Sequence, residues 1–198
     1  PFLFCVLLTV LCYALALTLT PAAPLALVSY WYDGIWQILT FAMQMILILL
    51  TGYTLAASRP VRALLERLAA RPRHQGSAIV TLLVVSLLAS LLHWGFALVA
   101  SALLARALGR KVARCDFGFL VAGAYSGFVL WASGLSSSIA LVSATAGSPM
   151  NIIAQYTPIR VTPIRETLLA PYNLVLVAAT FVLLPLMFRW MMPRGAQI

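Results

Sequence analysis

Two short polar segments interrupt long apolar runs, and they contain the residue types that could bind a ligand. They are residues 92–95 (Leu-His-Trp-Gly) and residues 132–138 (Ala-Ser-Gly-Leu-Ser-Ser-Ser). Loop carbonyls and hydroxyls can coordinate Na⁺, and the N-terminal ends of half-helices can hold a carboxylate. The candidate binding residues are therefore His93, Trp94, Gly95, Ser133, Gly134, Ser136, Ser137 and Ser138.

These residues also fit other roles. Serine hydroxyls in a membrane helix often bond back to their own helix, which would make Ser136–Ser138 structural. His93 is the one His, Lys, Arg, Asp or Glu deep in a predicted apolar segment, so it is either a ligand or proton carrier or a neutral polar residue at a turn. Ser136 or Ser137 with His93 as base would instead resemble an intramembrane serine hydrolase.

The composition indicates a helical integral membrane protein. The chain is 63% hydrophobic and 9% charged, and spanning a bilayer takes about 20 apolar residues. The net charge of +9 comes from basic residues in short loops, which the positive-inside rule explains without nucleic acid. The bilayer is the expected environment, with some attraction to its anionic lipids. The three cysteines have no metal or disulfide spacing.

Charge distribution predicts that residues 77–105 enter the bilayer and return. This uncharged run has basic clusters on both sides, and one crossing would place them on opposite faces of the membrane. With a re-entrant hairpin, eleven of the 13 Lys and Arg residues lie on the cytoplasmic side. With a simple crossing they divide seven to six, so the positive-inside rule favours the hairpin, with His93 near its tip.

The rest of the chain is predicted to complete one membrane domain over residues 1–198. Ser58, Arg59 and Pro60 are typical of a helix start, and the apolar spacing that follows predicts an amphipathic helix. Gly123 and Gly127 form a small-xxx-small face for close helix contact. The predicted segments are two spans within 1–57 with an external loop over 21–34, a cytoplasmic amphipathic helix over 58–76, the re-entrant hairpin over 77–105, a broken helix over 117–150 and a last span over 168–192.

Four motifs, in order along the chain, resemble the short-chain fatty acid transporter family of bacteria. They are Asp33-Gly34-x-Trp36, Phe41-Ala42-Met43-Gln44-Met45, Trp94-Gly95-Phe96 and Ser148-Pro149-x-Asn151. The resemblance covers essentially the whole chain and about the N-terminal half of such a transporter. The chain departs from it at His93 and Ala97, where Asn and Gly are expected, and at Ser133-Gly134-Leu135, where relatives are expected to be richer in glycine.

The resemblance implies a multi-pass symporter of the bacterial inner membrane rather than an enzyme. The implied fold is all-α, with transmembrane helices, a re-entrant hairpin and a broken helix forming one half of an inverted-repeat transporter. Similarity to the ion-transporter superfamily that includes dicarboxylate/sodium symporters implies a C-terminal half, a homodimer and elevator-like motion. The implied partners are a short-chain fatty acid anion and a coupling cation, Na⁺ or H⁺, with no other cofactor. A serine hydrolase and a non-transporting membrane scaffold are the alternatives.

Overall fold

The structure is a computed structural model that describes residues 2–148 and 150–193. Within these residues the regular secondary structure is entirely helical, which confirms the predicted all-α class. The elements are α1 (Phe2–Leu19), α2 (Pro24–Ala57), α3 (Arg59–Ala69), α4 (Gln75–Leu92), α5 (Trp94–Lys111), α6 (Phe117–Ser126), a 3₁₀ segment (Gly127–Ser133), α7 (Ser138–Ala144), α8 (Ile152–Tyr156), α9 (Ile164–Thr167) and α10 (Pro171–Trp190).

Five stretches of the described chain are long and apolar enough to cross a membrane. They are α1, α2, α4, the combined stretch Phe117–Ala144 and α10. Most large side chains of α1 and α10 point outward and are exposed, as expected where lipid replaces water. The predicted class of multi-pass helical membrane protein is confirmed.

The chain divides into two compact units, residues 1–47 and 48–198. In the first, α1 has no buried residue, and the Tyr13 hydroxyl donates a hydrogen bond to the Pro24 carbonyl at 3.2 Å. The predicted external loop over 21–34 is wrong, because helix α2 already begins at Pro24. Proline is favoured in the first turn of a helix, and no residue from Leu25 to Asp33 breaks one.

Helix α4 is at the centre of the second unit. It packs against α5, α6, the 3₁₀ segment and α10. Ile79, Leu82 and Leu83 are fully buried in this core, and α5 contributes Leu104 and Leu108 to the same cluster. Helix α4 is apolar on nearly all sides, so every side must be covered by protein or lipid. The neighbouring helices provide much of this cover.

Two glycines let α6 and the 3₁₀ segment lie directly against α4, as the small-xxx-small spacing predicts. A Cβ at Gly123 would overlap the Ile79 side chain, and one at Gly127 would overlap Cβ of Ser86. Ile79 and Ser86 are two helical turns apart on α4, so the two contacts follow one face of that helix.

Helix α3 begins at the predicted signal but is shorter than predicted, at Arg59–Ala69 instead of 58–76. Its apolar face packs against protein, since Leu65 and Ala69 are buried in the core cluster and α3 contacts α5. Leu64 is 55% exposed. The Lys111 ammonium at the end of α5 donates a hydrogen bond to the backbone carbonyl of Glu66 at 2.9 Å. This bond connects α5 to α3.

Candidate functional site

The hairpin tip is a single residue, His93, between the end of α4 and the start of α5. Its backbone N–H donates to the Ala89 carbonyl at 2.9 Å, and its carbonyl accepts from the Ala97 N–H at 3.0 Å. Its Nδ1 accepts from the Phe96 N–H at 3.1 Å. His93 therefore ends one helix and caps the next, and only an imidazole without a proton on Nδ1 can do so.

The polar segment after α6 is an interruption between two helical pieces. The 3₁₀ segment ends at Ser133, and Gly134 is extended, with φ −103° and ψ 178°. The Ser137 N–H donates to the Gly134 carbonyl at 3.0 Å. The Ser137 hydroxyl accepts from the Ala140 N–H at 3.3 Å and caps α7. Ser137 is fully buried, so this side chain faces protein and not lipid.

Two hydrogen bonds join the hairpin tip to this interruption, and we call the joined region the tip–break junction. The Trp94 N–H donates to the Ser136 hydroxyl at 2.9 Å. The Leu135 N–H donates to the Leu91 carbonyl at 2.7 Å. A Cβ at Gly134 would lie 2.5 Å from that carbonyl oxygen, so only glycine permits this approach.

The other predicted site residues lie around the junction in different settings. Gly95 faces α2, where a Cβ would lie 2.9 Å from the Ile48 carbonyl oxygen. The Ser133 carbonyl accepts a hydrogen bond from the Asn173 side chain at 3.3 Å. Ser138 begins α7, and its hydroxyl makes no hydrogen bond to the described residues. The structure thus joins Trp94, Gly134 and Ser136 directly and leaves Gly95 and Ser138 at the edges.

Two polar residues that were not predicted as site residues support the interruption. The Asn173 amide donates to the Leu168 carbonyl at 2.8 Å as well as to that of Ser133. The Ser90 hydroxyl, fully buried, donates to the Phe128 carbonyl at 3.2 Å. Both residues could have been found in the sequence as polar side chains inside apolar segments, since a buried polar group needs a hydrogen-bond partner.

Aromatic rings cover one side of the junction. The rings of Trp94 and Phe128 meet edge to face with centroids 6.4 Å apart. Phe128 in turn stacks on Trp131, with centroids 6.1 Å apart and planes 10° apart. Such rings exclude water from neighbouring polar groups and so strengthen their electrostatic interactions.

The junction presents neutral polar groups. No Asp, Glu, Lys or Arg is among its residues, and the described chain has no cluster of three His, Cys, Asp or Glu side chains that could hold a metal ion. The N–H of Gly95, in the first turn of α5, has no hydrogen bond within the described residues. Together with the N-terminal end of the α5 dipole, it could interact with a small anion.

The described helices and the junction define a multi-pass helical membrane protein with a polar link between two apolar segments. The profile of the short chain fatty acid transporter family matches residues 1–198, and the chain belongs to that family. Two similar proteins have been provisionally named short-chain fatty acid transporters. One, from Escherichia coli K12, is 37% identical over 198 residues, which are the whole of this chain and 44% of the relative.

The second relative, from Haemophilus influenzae Rd, is 33% identical over 199 residues, again the whole of this chain and 44% of the relative. The chain therefore spans less than half the length of the two relatives. No solved structure matches it.

Proposed function

We propose that this chain is the N-terminal part of a secondary transporter that carries short-chain fatty acid anions across the bacterial inner membrane. Family membership supports the substrate class, and the provisional names of the two relatives agree with it. The observation that carries a transport mechanism is the tip–break junction, where Trp94 and Ser136 are hydrogen-bonded between two apolar helical segments.

In this proposal the ligand binds beside the junction through backbone groups and hydroxyls. A carboxylate placed near the Gly95 N–H would face the positive end of α5, which is its favoured position. The coupling cation would be Na⁺ or H⁺, and Na⁺ would bind through freed carbonyls and the hydroxyls of Ser136, Ser137 and Ser138. Such interruptions in paired helices are the usual place for substrate and ion sites in secondary transporters.

The hairpin would re-enter the membrane and not cross it. Each arm has 18 residues and is about 27 Å long, longer than predicted and close to the thickness of the hydrocarbon core. The uncharged part of α5 ends before Arg106 and is only about 18 Å long. With its basic end at the cytoplasmic surface, α5 would place the tip just beyond the midplane.

The remainder of the transporter would supply the second inverted repeat, and two copies would form a homodimer. The relatives are more than twice as long as this chain, which leaves room for such a repeat. A second hairpin and a second interrupted helix would complete the binding site from the opposite side of the membrane.

We propose transport and not hydrolysis because the hydroxyls of the two candidate nucleophiles, Ser136 and Ser137, already have structural partners. The Ser136 hydroxyl accepts from the Trp94 N–H, and that of Ser137 accepts from Ala140. His93 Nδ1 accepts from Phe96, so this nitrogen is engaged in capping a helix. A base that activates a serine needs a free acceptor nitrogen directed at the hydroxyl.

The test is uptake of radiolabelled butyrate by the full-length protein in proteoliposomes. We expect saturable uptake that Ser137→Leu abolishes, because leucine removes the α7 cap and overfills a fully buried position. The matched control is Thr180→Leu, which replaces a half-buried residue whose hydroxyl donates to the Leu176 carbonyl of its own helix, and it should transport normally. Absence of butyrate uptake by the wild-type protein would contradict the proposed function, and a scaffold would behave in this way.

A further inference from the structure

A cavity of about 240 Å³ lies between α3 and the C-terminal half of α5, whereas the tip–break junction is at the N-terminal end of α5. We call it the α3–α5 cavity. Its charged lining residues are Arg62, Glu66, Arg106 and Arg110, and its apolar lining residues are Leu65, Leu103 and Ala107. The Lys111 bond to the Glu66 carbonyl holds the two helices together beside it.

The cavity has an excess of positive charge that the described protein does not neutralise. Three arginines face one glutamate, and no carboxylate of the described residues lies within 4.0 Å of these guanidinium groups. Arg106 and Arg110 are one turn apart on α5, and like charges at this spacing repel each other. An anion between the helices would replace repulsion with attraction.

The position and the lining of the cavity suit a lipid headgroup at the membrane surface. Arg106 and Arg110 follow directly after the apolar part of α5, where the hydrocarbon core would give way to headgroups, and Arg62 faces them from α3. Buried Leu65 and half-buried Leu103 form an apolar floor beside the charged groups. Guanidinium groups bind phosphate oxygens through paired hydrogen bonds, and basic pockets between membrane helices bind anionic headgroups in this way.

We propose that the α3–α5 cavity binds the phosphate of an anionic phospholipid headgroup. The phosphate oxygens accept hydrogen bonds from Arg62, Arg106 and Arg110, and the acyl chains extend along the exposed apolar surface. A bound lipid links α3 to the hairpin arm α5 and holds the amphipathic helix against the membrane. This role is independent of the transported substrate.

Native mass spectrometry of the full-length protein with phosphatidylglycerol tests the proposal. The triple variant Arg62→Gln, Arg106→Gln and Arg110→Gln should lose at least about tenfold in retained lipid, since each basic group contributes substantially at a lipid surface. A control triple variant removes the same charge from exposed arginines outside the cavity: Arg59→Gln, Arg71→Gln and Arg73→Gln. The control should retain lipid like the wild-type protein.

Three outcomes would overturn the assignment. Equal loss of lipid in both triple variants would mean that net charge alone attracts the lipid. Equal retention of phosphatidylcholine and phosphatidylglycerol by the wild-type protein would mean that the cavity does not distinguish an anionic headgroup from a zwitterionic one. Thermal stabilisation by millimolar inorganic phosphate, lost in the cavity variant, would assign the site to free phosphate. None of these readouts depends on butyrate transport, so the proposed function can fail without affecting them.

Discussion

The hydroxyl of Ser136 accepts a hydrogen bond from the backbone N–H of Trp94 at 2.9 Å, although 42 residues separate them in sequence. The first N–H groups of a helix have no partner within it. In α5, the Phe96 N–H donates to the His93 side chain, and the Trp94 N–H donates to the Ser136 side chain. A side chain of the interrupted segment therefore contributes to the cap of the hairpin's second arm.

Removal of the Ser136 hydroxyl should destabilise the junction. In Ser136→Ala the Trp94 N–H is left without a partner in an apolar setting, at a cost of about 1–3 kcal/mol. We expect a lower melting temperature of the full-length protein in detergent and reduced butyrate uptake. For the melting temperature, Ser138→Ala is the matched control, since that hydroxyl makes no hydrogen bond to the described residues. Equal losses of melting temperature in the two variants would contradict a specific structural role for Ser136.

A methyl group at Gly134 should disrupt the junction more strongly. In Gly134→Ala the new Cβ would lie 2.5 Å from O and 2.6 Å from Cα of Leu91. Backbone cannot give way as a flexible side chain can, so we expect at least about 3 kcal/mol of destabilisation and loss of uptake. In Gly34→Ala the new Cβ meets nothing within 4 Å, and a helix gains about 0.5–1 kcal/mol from this change. Normal expression and uptake in Gly134→Ala would contradict the close contact.

Substitution of His93 should separate capping from proton transfer. Asparagine can cap a helix as well as the neutral imidazole does but cannot ionise, so His93→Asn should keep the stability that His93→Ala loses, about 1 kcal/mol. Because a proton on Nδ1 would remove the acceptor for the Phe96 N–H, we expect His93→Asn to leave the pH profile of butyrate uptake unchanged near neutrality. A pH dependence in the wild-type protein that disappears in His93→Asn would instead assign a proton role to His93.

The proposal that the α4–α5 hairpin re-enters the membrane makes a topological prediction. Single cysteines at Arg73 and Arg110, both exposed, should react with a membrane-impermeant maleimide only from the cytoplasmic side. The background protein lacks the three native cysteines. Helix α4 is long enough to cross a membrane, so length alone does not decide the question. Reaction of one of the two positions from outside would show that residues between them cross the bilayer.

Cys115, in the connection between α5 and α6, should react slowly near neutral pH. Burial raises the pKa of its thiol, and the negative charge of Asp116 raises this pKa further. Because the thiolate is the reactive form, its alkylation should accelerate as the pH rises towards this elevated pKa.

Asp116→Asn removes the charge, and Asn can still cap α6 in place of the carboxylate that accepts from Phe119. We therefore expect faster alkylation at about pH 8 in Asp116→Asn, in a background without Cys5 and Cys12. Identical pH profiles for the two proteins would exclude a contribution from Asp116.

Composition predicted the fold class because a bilayer leaves few choices for an apolar chain. Helices satisfy their own backbone hydrogen bonds, so long uncharged runs indicate helices that span a membrane. The external loop predicted over 21–34 is wrong, although Tyr30-Trp31-Tyr32 and Asp33 are residue types that are common at a membrane–water interface. These residue types are also compatible with a helix, and Pro24 starts one there.

The close contacts could not be predicted in full from the sequence. The spacing of Gly123 and Gly127 indicated a close helix contact, but not that Ile79 and Ser86 of α4 are the residues opposite. The bond between Trp94 and Ser136 joins two segments whose relative positions depend on the packing of α4. No local pattern specifies such a pairing. The capping role of His93 could not be predicted either, because histidine is an unusual N-cap residue.

The Leu135–Leu91 bond and the contact of Gly134 with Leu91 have a mechanical consequence. If the hairpin tip alone swung aside to admit a solute, it would have to break this bond and that of Trp94 with Ser136 in a setting without water to replace them. If the two segments travel together, neither bond is broken. The junction therefore favours displacement of the hairpin and the interrupted segment as one rigid piece, and any hinge should lie outside it.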